Sequence, residues 1–293
     1  MASATDEPVR KPRRERMYSW LLVPGTVWMS LFFVFALVLL VLLCFGRTDA
    51  LGNPRFGHTL ANIQGVFQGV YLRVIVRSLI YAVLATAICL LLGYPVAYAI
   101  ARHGGRFKTA LIALLVVPFF ANYLVRMYGW ETLLSDNGIV VRALRHLGAG
   151  ANFHLLNTPG AVIGGLVYGY VTFMVLPIYA SLERMDDALI EAGRDLYGSP
   201  LITFLTVTVP ASRAGAYAGM ALVFLPAMGD FISAQLLGGP DTMMIGNLIQ
   251  EKFFDGQNWP LGSALTMALM VLLLICMSAY LRQTAREAKE AQR

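Results

Sequence analysis

The sequence predicts an all-α membrane protein with six spanning helices, and three observations carry that expectation. Of 293 residues, 57% are hydrophobic and 14% charged, with a mean hydropathy of +0.63; ordinary globular chains hold about 45–50% apolar and about 25% charged residues. The apolar residues fall in blocks long enough for the hydrocarbon layer, which a helix of about 20 residues crosses. Lysine and arginine flank those blocks unevenly. With the N-terminus inside, fifteen fall in residues 1–19, 102–108, 183–213 and 282–293, and five in residues 46–72, 131–159 and 237–260. That asymmetry predicts cytoplasmic termini. The net charge of +6 then reports topology rather than a nucleic-acid patch, and no nucleic-acid partner is expected.

Residues 1–20 are basic and lack a small-residue cleavage site, so the first apolar block reads as a retained anchor. One transmembrane domain, residues 21–282, is expected, followed by a cytoplasmic tail, 283–293. The first two spans, 21–45 and 78–101, carry no charge. The third, 109–130, is uncharged as far as Val125 and ends with Arg126 and the aromatics Tyr128 and Trp130, which suit an interface. The fourth and sixth are 160–182 and 261–281. The fifth, 214–237, is apolar but for Asp230. Pro24, Pro95, Pro118, Pro177 and Pro226 lie in these blocks and predict kinks. Gly165 and Gly169 form a GxxxG pair that predicts close helix approach. No internal repeat stands out, which weighs against an inverted-repeat secondary transporter.

Catalytic chemistry finds little purchase. Cys44, Cys89 and Cys276 all lie in apolar runs, and an odd count argues against a disulfide framework. His58, His103, His146 and His154 are scattered without metal-ligand spacing, so neither a metal nor another cofactor is expected. The chain has no Gly-Lys dipeptide and therefore no phosphate-cradling loop. No Ser/His/Asp, paired-carboxylate or metal constellation falls within the spans, so an enzyme is the last of the readings.

The inner segment 183–213 carries the clearest amphipathic signal. Leu182, Met185, Leu189, Ala192 and Leu196 recur at helical spacing, with Glu183, Asp186, Asp187, Glu191, Arg194 and Asp195 on other faces. Tyr197-Gly198-Ser199-Pro200 breaks that helix. A second stripe through Leu201, Phe204 and Leu205 is expected to end at Val209-Pro210. Periodicity alone favours a solvated hairpin resting on the bilayer.

Glu191-Ala192-Gly193, with Val207-Thr208-Val209-Pro210 at the matching distance, resembles the EAA loop of ABC importer permeases. Gly193 stands for the third alanine, and Gly198 follows Tyr197 where that pattern has its glycine. The resemblance extends to Gly93-Tyr94-Pro95, Tyr128-Gly129-Trp130, Asp136-Asn137-Gly138, Phe173–Tyr179, Phe224–Phe231, Leu236–Asp241, Met244–Asn247 and Asn258-Trp259-Pro260. These stretches are similar to the first permease subunit of spermidine/putrescine ABC importers. The resemblance implies a six-helix type I importer permease in the bacterial cytoplasmic (inner) membrane. It also implies a second, related permease, two ATP-binding subunits that hydrolyse ATP, and an external solute-binding protein. Glu191, Ala192, Gly193, Gly198 and Pro210 would then couple the permease to the ATPase, the hairpin seating in a groove. Ferric-ion, sulfate and molybdate permeases are related alternatives, and a stand-alone secondary transporter is a second class that the EAA-like segment disfavours.

Asp230 stands out within the spans. An acid near a helix centre costs about 2.5–3.5 kcal/mol on insertion scales, so it faces protein or water. One reading makes it a pathway acid for a protonated amine, with Tyr123, Tyr168, Tyr170 and Phe231 as candidate cation–π partners. The other pairs it structurally with Arg126 or with an arginine of the second permease. An intramembrane acid fits a cation better than an oxyanion. The outer segment 238–260 reads equally as a gate lining or binding-protein contact, or as an ordered loop.

Overall fold

Three helices packed through small residues form the centre of the protein. The computed structural model describes residues 13–49, 52–150 and 152–290. Helix α1 (Arg13–Cys44) leads into an antiparallel ribbon, β1 (Arg47–Thr48) and β2 (Pro54–Arg55), with Arg47 opposite Arg55. Then come α2 (Ala61–Val66), α3 (Gly69–His103), α4 (Lys108–Val116), α5 (Tyr123–Leu134), α6 (Ile139–Leu144) and α7 (Pro159–Glu183). The 183–213 segment holds α8 (Asp187–Tyr197), α9 (Pro200–Thr203) and α10 (Val209–Ala211). Helices α11 (Arg213–Gly229), α12 (Ile232–Leu237), α13 (Ile245–Gln250) and α14 (Trp259–Glu290) follow.

Among the described residues, four continuous helices are long and apolar enough to cross a membrane: Val23–Cys44, Gly69–His103, Pro159–Glu183 and Trp259–Arg282. They overlap four of the expected spans. The other two are broken. In 109–130, Val117–Phe120 tightens into a 3-10 turn around Pro118, which has no N–H to give. The Asn122 side chain then accepts the Leu124 N–H at 2.9 Å and starts α5 afresh; the two halves bend by 91°. In 214–237, α11 stops at Gly229, Asp230 is extended (φ −67°, ψ 123°), and α12 resumes at Ile232. Asp230 therefore sits at a break and not, as expected, near a helix centre. Pro24, Pro95, Pro177 and Pro226 lie inside continuous helices.

Helices α3, α7 and α11 pack on one another around Cys89, Ala97, Met174, Ile178, Leu182 and Val223. In lipid, apolar burial does not drive helices together, so close van der Waals contact must. A methyl group on Gly215 would lie 2.5 Å from the Pro177 carbonyl oxygen and 2.6 Å from Ser181 Cβ. The predicted GxxxG pair works differently. Gly165 makes room for the Leu237 side chain of α12 and Gly169 for the Tyr123 ring of α5.

The 238–260 segment is built into the fold. The Ile245 N–H donates to Ser78 Oγ at 2.7 Å, and Arg77 Nε donates to the Met243 carbonyl at 2.8 Å. Met244 and Ile245 are fully buried. Helix α1, by contrast, packs along α14 and leaves Met29 and Phe33 exposed.

Overpacking a filled contact costs about 1–3 kcal/mol. Gly215→Ala is therefore expected to lower the melting temperature of the purified protein. Gly164→Ala, where a methyl would meet nothing within 4 Å, is expected to leave it unchanged. Equal melts for the two variants would show that the α7–α11 contact is not tight.

Candidate functional site

The break between α11 and α12 creates the most polar buried point described in the helical core. Asp230 is 6% exposed. Where a helix restarts, its first N–H groups lack intrahelical acceptors. Asp230 Oδ1 supplies one, accepting the Ser233 N–H at 2.9 Å. Oδ2 accepts the Tyr123 hydroxyl at 2.5 Å, the Tyr170 hydroxyl at 2.9 Å and Ser233 Oγ at 3.0 Å. Hydrogen bonds to a charged group contribute about 1.5–3 kcal/mol each, which offsets the cost of an acid at this depth. Tyr123 reaches the carboxylate because Gly169 leaves space for its ring.

The structure sorts the sequence-predicted pathway residues. Asp230, Tyr123 and Tyr170 come together, the two rings 6.1 Å apart. Tyr168 lies on the other side of Tyr123 and packs against Trp130 at 5.2 Å. Phe231 contributes its backbone, its carbonyl accepting from Asn247 Nδ2 at 2.7 Å, and no ring contact among the described residues joins it to the tyrosines.

The alternative reading, an Asp230–Arg126 ion pair, is not formed: none of the ion pairs among the described residues contains either residue. The Arg126 guanidinium lies instead over the rings of Phe119, Tyr123 and Tyr168. Tyr123 thus stands between the two charges, its hydroxyl on the carboxylate and its face on the cation. Ser233 escaped the sequence reading, although its spacing of three from Asp230 is that of a cap and its helix.

A second feature lies at the far end of the central helices. Asp186 caps α8, its Oδ1 accepting the Ala188 N–H at 3.0 Å. Gly198 ends α8 in the left-handed region (φ +66°), with its N–H on the Arg194 carbonyl. Gly198 therefore supplies the turn, and Tyr197 remains the last helical residue.

The inward face of α8 differs from the predicted stripe. Ile190 and Gly193 are buried, whereas Leu189 and Leu196 are 53% and 76% exposed. A side chain at 193 would come within 2.9 Å of Thr203 Cγ2 and 3.0 Å of Val207 Cγ2, which accounts for the glycine. Val209-Pro210 does not end the second helix. Residues 204–208 are wound as a π-helix that runs into α10, so Pro210, which has no N–H to give, lies within one helical run from Pro200 to Ala211. Glu191 and Ala192 are exposed and Pro210 is half-buried.

This helix pair is braced to α3. Arg102, only 13% exposed in its side chain, donates to the Leu182 and Met185 carbonyls at 2.9 and 3.2 Å and pairs with Asp187. Lys108 pairs with Glu183 at 3.0 Å, and the Tyr94 hydroxyl lies 2.6 Å from Ser212 Oγ.

No family model matches the chain. Over 256 residues, 87% of this chain and 90% of the other, it is 38% identical to the spermidine/putrescine transport system permease protein PotB of Haemophilus influenzae. The chain belongs to the spermidine/putrescine transport permease family. The Escherichia coli PotB is 37% identical to this permease, over 87% of this chain and 93% of its own. Among solved structures, a permease chain of a bacterial alginate ABC transporter, crystallised with an alginate pentasaccharide-bound periplasmic protein, superposes with a TM-score of 0.70. It covers 94% of this permease and 96% of its own chain at 18% identity, a likeness of fold alone.

Tyr123→Phe keeps the ring in the Gly169 recess and removes one donor from the Asp230 carboxylate. It is expected to destabilise the permease by about 1–3 kcal/mol, read as a lowered melting temperature. An unchanged melt would mean that the carboxylate does not depend on this hydroxyl.

Proposed function

We propose that this permease forms half of the path by which a polyamine of the spermidine/putrescine class crosses the bacterial inner membrane. A second, related permease forms the other half. Two cytoplasmic ATP-binding subunits drive the cycle, and an external solute-binding protein delivers the amine. The relationship to PotB carries this reading. The chemistry of the broken helix agrees with it: a buried carboxylate that meets only hydroxyl and amide donors among the described residues suits an ammonium better than an oxyanion.

In this reading the six spans comprise the four continuous helices and two broken ones, α4–α5 and α11–α12, and both termini are cytoplasmic. The α8–α10 segment is the coupling element. Its exposed Leu189, Leu196 and Tyr197, with Glu191 and Ala192, form an unpartnered amphipathic face of the kind that seats in a groove. Gly193 and Gly198 fix the shape of that element, and Pro210 lies at its return into α11. Asp230 receives the passing amine, helped by Tyr123 and Tyr170, with Tyr168 and Phe231 further along the path. One acid suits transit better than a tight cage, because the cation must also leave.

Asp230→Asn keeps size and hydrogen bonding while removing the charge. In the reconstituted four-component importer it is expected to lower polyamine uptake by about tenfold or more, with assembly and basal ATP hydrolysis retained and Asp230→Glu partly active. Normal uptake by the Asn variant would remove Asp230 from the pathway, and loss of assembly would make it a structural residue. At the other end, Glu191→Lys is expected to leave the complex assembled but to separate ATP hydrolysis from uptake. Wild-type uptake and ATPase binding in that variant would reduce Glu191 to a solvated acid.

A further inference from the structure

Arg126 lies one turn after Tyr123 on α5, within the broken third span, and its surroundings are unusual for an arginine. Its guanidinium carbon is 4.9 Å from the Phe119 ring centroid, 5.4 Å from that of Tyr123 and 5.8 Å from that of Tyr168. No carboxylate among the described residues pairs with it. Its Nε is buried without a hydrogen-bond partner. Three ring faces, each within about 6 Å of one cation, make the kind of aromatic enclosure that takes ammonium ligands. The enclosure opens onto a groove of about 670 Å³ whose walls include Leu115, Val171 and Thr172 beside Phe119, Arg126 and Tyr168. That space accommodates an alkyl amine. Tyr123, one of the three rings around the Arg126 guanidinium, reaches Asp230 with its hydroxyl.

We propose that the Phe119–Tyr123–Tyr168 box is a binding site for a primary ammonium, and that Arg126 occupies it here as a tethered placeholder. The passing amine takes the rings as Arg126 swings into the groove, and Arg126 returns when the amine moves on. This rests on the amine-transport reading above and adds to it a second station, one ring away from Asp230. A tethered cation competes at high effective concentration, and so weakens the apparent affinity of a free one. The unpartnered Nε makes the resident cation easy to dislodge, because an unsatisfied buried donor weakens its hold. The device keeps a strongly cation-attracting box from trapping its cargo.

The test uses the complete reconstituted importer and labelled putrescine. R126Q is expected to lower the uptake KM by about fivefold or more, since the competitor is gone, and to lower kcat as release slows. R126K keeps the charge and is expected to stay near wild type in both. A KM in R126Q that is unchanged or raised, with the complex intact, overturns the proposal. A complex that loses its second permease in R126Q also overturns it, since Arg126 is then an assembly contact.

A second measurement needs no variant. Saturating putrescine is expected to expose Arg126 of the wild-type importer to phenylglyoxal, read by mass spectrometry of the α5 peptide. Unchanged or reduced modification overturns the exchange. If the wild-type importer takes up no amine, the transport reading itself fails and the placeholder falls with it, an outcome distinct from normal uptake with an unaltered R126Q.

Discussion

The hydrogen bonds to the Asp230 carboxylate hold the broken core together. An acid at this depth is tolerated only with its lone pairs satisfied, and the donors come from three separate elements: Tyr123 of α5, Tyr170 of α7 and Ser233 of α12. The same break anchors the 238–260 segment. Asn247 donates to the Phe231 carbonyl, and Gly246 packs so closely on the Gly229 carbonyl oxygen that a side chain there would lie 2.6 Å from it. Without the break at Asp230, α12 would continue α11 and carry Ser233 away, and α13 would lose its seat. Local backbone geometry, site chemistry and the packing of that segment thus share one cause.

The separation of Asp230 from Arg126 by one tyrosine ring matters for what the site can do. A direct buried pair would satisfy each charge with the other, and breaking it would cost several kcal/mol, about 3–5 on typical measurements. With Tyr123 between them, the carboxylate is held by hydroxyls and the guanidinium by ring faces. Hydroxyls rotate and ring faces accept any cation of suitable size, so both holds exchange partners more readily than an ion pair does. In the importer proposed above, that is the property a transit site requires.

The sequence made the continuous spans legible because hydropathy registers length and composition, and α3, α7 and α14 differ from their surroundings in both. It was blind to the breaks. Proline was no guide, since Pro95, Pro177 and Pro226 lie in unbroken helices while Pro118 sits in a break. What decides is the presence of a new cap: Asn122 before α5, and Asp230 three residues before Ser233. Hydropathy counts those residues as mere polar interruptions. In the 183–213 segment the amphipathic period was visible, but period does not say which stripe turns inward. Gly193, with room only for hydrogen, marks the inward face, and the heavier stripe of Leu189 and Leu196 is left outward. Tyr123 meets Arg126 by its spacing of three on α5, but the other two rings required the fold, because Phe119 lies before the break and Tyr168 on α7.

The remaining step connects the two ends of the molecule. The α8–α10 segment is fastened to α3 at two points, Arg102 on Asp187 at the start of α8 and Tyr94 on Ser212 just after α10, while Lys108 of α4 pairs with Glu183 at the end of α7. Helix α3 packs on α7 and α11 through close contacts, and Gly215 brings α11 against the α7 backbone at Pro177. Densely packed interfaces do not deform continuously; they shift as bodies or repack in discrete steps. In the importer proposed above, a displacement imposed on α8 would travel along α11 as far as Gly229. There the helix ends, and the next residue is Asp230, whose extended backbone and rotatable hydroxyl partners absorb a change of angle that a continuous helix would resist. In that importer, the break that satisfies the acid is also the point at which motion from the opposite end would reach the site.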